Sequence, residues 1–174
     1  MTLAYVFSHR PAADADTVRY EDALRRFHSA LAAASPAGFI GSITYRIGGG
    51  YSDWYLVESS AALDALNEAA VSGRRASPHD AAARMAADGA GKLMRLAGGE
   101  HDPEGAYEIR FAKPAGMPYA DLYRRAEPWT ALPGVSLWRR MMVLGPPPEF
   151  CLVSRSPVEL PADTRPEVLK RESI

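Results

Sequence analysis

The chain has 174 residues, 47% hydrophobic and 24% charged, with a net charge of −1 at pH 7. That length allows one large domain or two small ones, and a core that buries roughly 70% of the unfolded surface without disulfide staples. The near-neutral balance lacks the cationic surplus that nucleic-acid binding needs, and no window approaches the roughly 20 apolar residues of a membrane helix. Cys151 is the only cysteine, which excludes an intrachain disulfide and a multi-cysteine metal site. The start, MTLAYVFSHRP, lacks the charged and then long apolar pattern of a signal peptide. With the lone cysteine, this predicts a cytoplasmic protein.

In chain order, LAYVFSH (3–9) reads as a strand closed by Pro11. A helical pattern follows over 17–34, with Val18, Leu24, Phe27 and Leu31 on one face and Glu21, Asp22, Arg25 and Arg26 on the other. FIGSITYRI (39–47) and DWYLVES (53–59) form a hairpin around the glycines at 48–50. Residues 61–71 are helical. A second helix runs over 78–87, with Ser77 as N-cap, Pro78 at its first position, Asp80 completing a capping box, and Gly89 and Gly91 as its stop. KLMRLA (92–97) is a short strand. The second half repeats the order: a strand at 106–114, a helix at 118–129, and strands at 132–145 and 146–155. The 21 residues after Val153 hold Pro157, Pro161 and Pro166, which leaves room for a short helix around Glu167–Arg171 and no last strand.

Four matches underlie this repetition. Arg10–Pro11 corresponds to Lys113–Pro114, and Tyr20-x-Asp22-x-x-Arg25-Arg26 to Tyr119-x-Asp121-x-x-Arg124-Arg125. The Pro-x-Gly turn ending at Gly38 corresponds to Pro133–Gly134, and Asp53–Val57 to Glu149–Val153. Their offsets are 103, 99, 96 and 96, which predicts an internal duplication. Each unit is then a ferredoxin-like βαββ(αβ) module, unit 1 over 1–100 and a truncated unit 2 over 101–174. Helices cover only one face of such a sheet, so two units would pack face to face as an α+β barrel. The sheet edge left by the truncation invites cover by the tail or by a second copy in a homodimer.

This two-copy pattern of strands and short helices resembles the dimeric α+β barrel superfamily over nearly the whole chain. That superfamily includes cofactor-free monooxygenases of antibiotic biosynthesis, EthD-like proteins, muconolactone isomerases and the haem enzymes of the chlorite dismutase group. The resemblance is to an architecture. It implies a barrel that binds small molecules and transfers no family active-site residue onto this sequence.

Strand alternation locates a site. Aligning the two first strands on their prolines pairs Tyr5 with Glu108, Phe7 with Arg110 and His9 with Ala112. All would face the barrel interior, leaving Ala4, Val6 and Ser8 under the helices. Arg46 shares the polar parity of Ser42 and Thr44, and Trp138 occupies the corresponding strand of unit 2. His9 is the general-base candidate, because imidazole titrates near neutrality. Tyr5, Phe7, Arg46, Glu108, Arg110 and Trp138 are the substrate-binding candidates, an apolar set with a few convergent polar groups.

The other chemistry-bearing residues read as structural. The four histidines lack the i, i+4 spacing of a helical zinc site. His101 and Asp102 would need metal ligands from elsewhere, so no metal or cofactor is expected. His28 flanks a helix, Cys151 has no neighbouring base, and GAGKL (89–93) lacks the spacing of a phosphate loop. Arg74 and Arg75 beside a helix start form a weak anion site, and His79–Asp80 reads as a helix beginning.

Two readings follow. In the first, a small-molecule-binding barrel acts as a cofactor-independent monooxygenase or isomerase on an anionic or enolisable aromatic or polyketide-like compound. His9 takes a proton, and Arg46 or Arg110 stabilises the developing anion. In the second, the chain is a non-catalytic binding or dimerisation module without an open pocket.

Overall fold

The computed structural model describes residues 2–101 and 103–174, the Arg74 side chain excepted. The Asp102 metal reading and the Arg74 anion reading therefore fall outside the described residues. Among those residues the chain is α+β, with four α-helices and eight strands in the closed-barrel order β1-β3-β2-β8-β5-β7-β6-β4. It divides into two compact units, Met1–Gly91 with Ser173–Ile174, and Lys92–Glu172.

Unit 1 contains β1 (Leu3–Pro11), α1 (Thr17–Ala33), β2 (Phe39–Ile47), β3 (Gly50–Val57), α2 (Ala62–Ala70), α3 (Gly73–Ala83) and the first residues of β4 (Ala86–Gly99). β3 lies between β1 and β2, antiparallel to both. The register builds three cross-strand rows: Tyr5–Tyr55–Ser42, Phe7–Asp53–Thr44 and His9–Tyr51–Arg46. These rows face the helices, because Tyr20 of α1 reaches His9 and Phe27 packs edge-on against Tyr55. The sequence-based assignment of Tyr5, Phe7 and His9 to the opposite face is thereby reversed.

The reversal comes from the offset of 103 used to align the first strands. In unit 2 the helix-facing residues are Ile109 and Phe111, packed with Leu122 and Ala126. An odd offset equates these with the wrong parity of β1, and a one-residue slip moves every side chain to the other face.

α1 starts where Asp16 caps it, accepting from the Arg19 N–H at 2.8 Å. Its inward face is Tyr20, Leu24, Phe27 and Leu31, a strict 3.6-residue stripe. Val18, expected on that face, is 70% exposed. α3 begins at Gly73, well before the predicted Ser77 cap, and carries Pro78 inside it. The single N–H that proline lacks removes one helical bond. Arg75 on its first turn donates to the carbonyls of Ala69 and Ala34, tying α3 to the ends of α2 and α1. That guanidinium is engaged by backbone rather than set out for an anion.

Gly89 and Gly91 are not helix stops; both lie within β4. A Cβ at Gly89 would stand 2.7 Å from Phe7 Cζ, and one at Gly91 would overlap the Tyr5 ring. These glycines leave room for the two aromatics.

Unit 2 contains the rest of β4, β5 (Tyr107–Phe111), α4 (Tyr119–Thr130), β6 (Ser136–Arg140), β7 (Phe150–Ser154), a 3₁₀ turn (Ala162–Thr164) and β8 (Glu167–Ser173, of which Ser173 groups with unit 1). α4 covers Ile109, Phe111, Leu137, Phe150 and Leu152. The predicted helix at Glu167–Arg171 is instead β8, and the last strand expected to be missing is present. β8 runs antiparallel along β5, pairing Val168 with Ile109 and Leu169 with Glu108. An unpaired β5 edge offers a row of amide and carbonyl groups, and the tail satisfies them.

Candidate functional site

A cavity of about 600 Å³ lies in unit 1 between the sheet and its helices, within the range of small-molecule sites. Tyr5, Phe7, His9, Asp53 and Tyr55 form its sheet wall, and Tyr20, Leu24 and Phe27 enter from α1. Leu63, Leu66 and Asn67 of α2, His79 and Ala82 of α3, and Ala86–Gly89 complete it. The lining is mostly aliphatic and aromatic; Tyr20 and Asp53 stand beside His9, while Asn67, His79 and Asp88 are polar groups of the helices and β4.

Those groups form one network. The Tyr20 hydroxyl lies 2.5 Å from His9 Nδ1. His9 Nε2 is 3.2 Å from Asp53 Oδ2, at ion-pair range but off hydrogen-bond alignment. The Tyr55 hydroxyl donates to Asp53 Oδ2 at 3.1 Å, and Thr44 Oγ1 donates to Oδ1 at 2.7 Å. Thr44 also meets His28 Nε2 at 2.9 Å, and His28 Nδ1 meets Ser42 Oγ at 2.7 Å. His9 is stacked between Phe7 and Tyr51, with ring centroids at 5.4 and 5.7 Å.

Asp53 is the only fixed negative charge in this set. Burial alone would raise its carboxyl, but hydrogen bonding and charge from His28 and His9 outweigh that and hold it well below the usual carboxylate range. Burial first, then the Asp53 charge and Tyr51, push the Tyr20 phenol above its ordinary value of 10.0. Tyr20 therefore stays protonated at neutral pH and acts as a donor. Burial likewise raises Tyr55 well above 10.0.

The predicted site residues separate into two groups. Tyr5, Phe7 and His9 line the cavity. Arg46 shares their sheet face but is outside the lining; its Nε and Nη2 bind Glu21 at 2.5 and 2.7 Å, and Tyr51 donates to the same carboxylate at 2.8 Å. Glu108, Arg110 and Trp138 lie in unit 2 on the sheet face away from α4, paired across strands with Val153 and Cys151. There Arg110 Nε donates to Glu108 Oε1 at 2.7 Å, and Trp138 Nε1 donates to Ser136 at 2.9 Å. Glu108 and Trp138 are buried there, Arg110 is half-buried, and none of the three lines the cavity.

Cys151, buried opposite Arg110 and Trp138, has its thiol pushed up by burial, so it is no ready nucleophile. Both Tyr-x-Asp-x-x-Arg-Arg motifs make helix-surface ion pairs, Arg25–Asp22 at 2.8 Å and Arg124–Asp121 at 3.1 Å. Among the described residues no cluster of three or more His, Cys, Asp or Glu could hold a metal ion, and no helix is long and apolar enough to cross a membrane.

Sequence reasoning missed Tyr20, His28, Asp53 and Tyr55. The parity of Ser42, Thr44 and Arg46 was legible, and hairpin pairing carries it directly across to Tyr55, Asp53 and Tyr51. Tyr20 was legible as the residue one turn before Leu24.

Solved structures of other proteins share this α+β fold. Three solved structures match the chain over 99% of its length at 12% identity each. An anthrone oxidase-like protein has a TM-score of 0.59 with 91% of its own chain covered. A candidate chlorite dismutase has 0.59 with 95% covered. A candidate monooxygenase from Lactobacillus acidophilus NCFM has 0.62 with 94% covered. No protein-family model and no curated protein matches the sequence.

Proposed function

We propose that the unit 1 cavity binds an aromatic or polyketide-like compound with an acidic C–H or O–H, and that the protein acts on it without a cofactor. The observation that carries this reading is a cavity of about 600 Å³, mostly apolar, in which Tyr20 of α1 meets His9 and Asp53 of the sheet. The names of two fold neighbours, an anthrone oxidase-like protein and a candidate monooxygenase, support the same class of ligand.

His9 is the proton acceptor. The substrate proton passes to the Tyr20 oxygen as the Tyr20 proton moves to His9 Nδ1, leaving an enolate and an imidazolium beside Asp53. The Asp53 carboxylate stabilises that imidazolium. Arg46 and Arg110 drop out of the mechanism, because Glu21 and Glu108 engage them and neither lines the cavity. Returning the proton to a different carbon gives an isomerase. With dioxygen as oxidant, a CH₂ becomes C=O and water leaves, which gives a monooxygenase. On this reading the two units are copies of one ferredoxin-like module, since the order strand–helix–strand–strand recurs in both.

The test is a thermal-shift screen against anthrones, naphthols, aromatic acids and quinones, followed by product analysis in air. A ligand at 100 times its Kd stabilises by about 2.7 kcal/mol, a Tm rise of about 5–10 °C for a chain of this size. His9→Gln should keep that rise while losing about 10²–10⁴-fold in turnover. Binding with no turnover in the wild type would favour the non-catalytic module. No binding by any compound would remove the reading altogether.

A further inference from the structure

Asp53 stands in the central strand of unit 1 with an imidazole on either side. Its Oδ2 faces His9 Nε2 at 3.2 Å, and its Oδ1 faces His28 Nε2 at 3.6 Å. An ionised carboxylate only accepts hydrogen bonds, so Thr44 and Tyr55 both donate to it. The one Thr44 proton is thereby committed, and its oxygen must accept from His28 Nε2, which carries a hydrogen. In the neutral ring His28 Nδ1 then accepts from Ser42. On the other side the same logic puts a hydrogen on the His9 Nε2 that faces Oδ2, leaving Nδ1 to accept from Tyr20. One negative charge sets the tautomer of both rings.

We propose that His9, Asp53 and His28 work as one unit in which the carboxylate is shared, and that His28 is a positioning residue tempering His9 as a base. The inference rests on the reading of His9 as the proton acceptor. His28 draws Asp53 through Thr44 and through its own charge when protonated, so less of the carboxylate serves His9. What Asp53 gives to one ring it gives less of to the other. The titratable groups around this pair are Asp53, Tyr55 and Tyr51 from β3 and Tyr20 from α1, with Tyr5 of β1, His79 of α3 and Asp88 of β4 in the same cavity lining, while β2 presents the hydroxyls of Ser42 and Thr44. Glu21 lies beyond Tyr51, with Arg46 and Arg25 on its oxygens.

The experiment is ¹⁵N NMR of the histidine rings in the full chain, for the wild type and His28→Gln, without any substrate. In the wild type at pH 8 both rings should show a protonated Nε2 and a bare Nδ1. In His28→Gln the His9 ring should keep its protonated Nε2, with the ¹⁵N shift of that nitrogen moved toward a stronger hydrogen bond to Asp53. A His9 ring protonated on Nδ1 at pH 8, or a His9 Nε2 shift unchanged in folded His28→Gln, would overturn the shared carboxylate. The tautomer reading needs no variant, so it decides even if His28→Gln does not fold. Because no ligand is present, failure here is distinct from failure of the proposed activity, which the His9→Gln turnover judges.

Discussion

Asp53 is 3% exposed, and a carboxylate taken out of water costs several kcal/mol unless its oxygens are met by donors. Thr44 and Tyr55 supply two hydroxyl donors, and two imidazoles stand on either side. Removing the acid leaves those groups facing one another without an acceptor. Asp53→Ala should therefore destabilise by about 3–5 kcal/mol. Urea unfolding with an unchanged m-value would measure it. Asp53→Asn keeps an acceptor oxygen for one hydroxyl and should lose less. A loss below about 1 kcal/mol for Asp53→Ala would mean that the network is not organised by this charge.

At the scale of elements, β1 and β4 are matched by shape, large aromatics on one and glycines on the other. Gly91→Ala places a methyl against the Tyr5 ring, and Gly89→Ala crowds Phe7. Overpacking of this kind typically costs 1–3 kcal/mol. For Gly89→Ala the displaced Phe7 should also narrow the cavity, so the variant should show both a lower Tm and a smaller ligand-induced rise. A normal ligand response would show that Phe7 swings clear of the cavity.

The same two glycines show where reading the sequence stops. As isolated letters after an alanine-rich run they signal a helix end, and only the tertiary contact with Tyr5 and Phe7 reveals them as strand residues. β8 is similar: Glu167–Arg171 has no strong strand pattern, and it becomes a strand because the β5 edge needs a partner. The hairpin of β2 and β3 was legible because its register is local. The face of β1 was not, because it hung on aligning two halves by a proline whose offset has the wrong parity. His9 was legible as a base by its chemistry alone, whereas Asp53 and Tyr20 required the pairing of distant strands and helix.

At the scale of the whole molecule, the two buried acids among the described residues whose carboxyls are clearly lowered, Glu21 and Asp53, both lie in unit 1. The Arg46 hydrogen bonds, with help from Tyr51 and the charges of Arg46 and Arg25, overcome burial and bring Glu21 to about 2 from 4.5. Asp53 is held below its ordinary 3.8 by the two histidines against a larger opposing effect of burial. Both folded values lie below the unfolded ones. Between pH 4.5 and about 2 the unfolded chain thus binds more protons than the native one, and stability rises with pH there. The contribution is fully present above pH 4.5 and is lost as pH falls through that window. Urea midpoints at pH 6, 5, 4 and 3 should accordingly be flat at first and then fall. Glu21→Gln removes one of the two groups and should fall less steeply below pH 4.5. A wild-type midpoint that stays level or rises between pH 5 and 3 would contradict the electrostatic account of this network. A Glu21→Gln slope equal to the wild type would assign the acid sensitivity to Asp53 and the histidines around it.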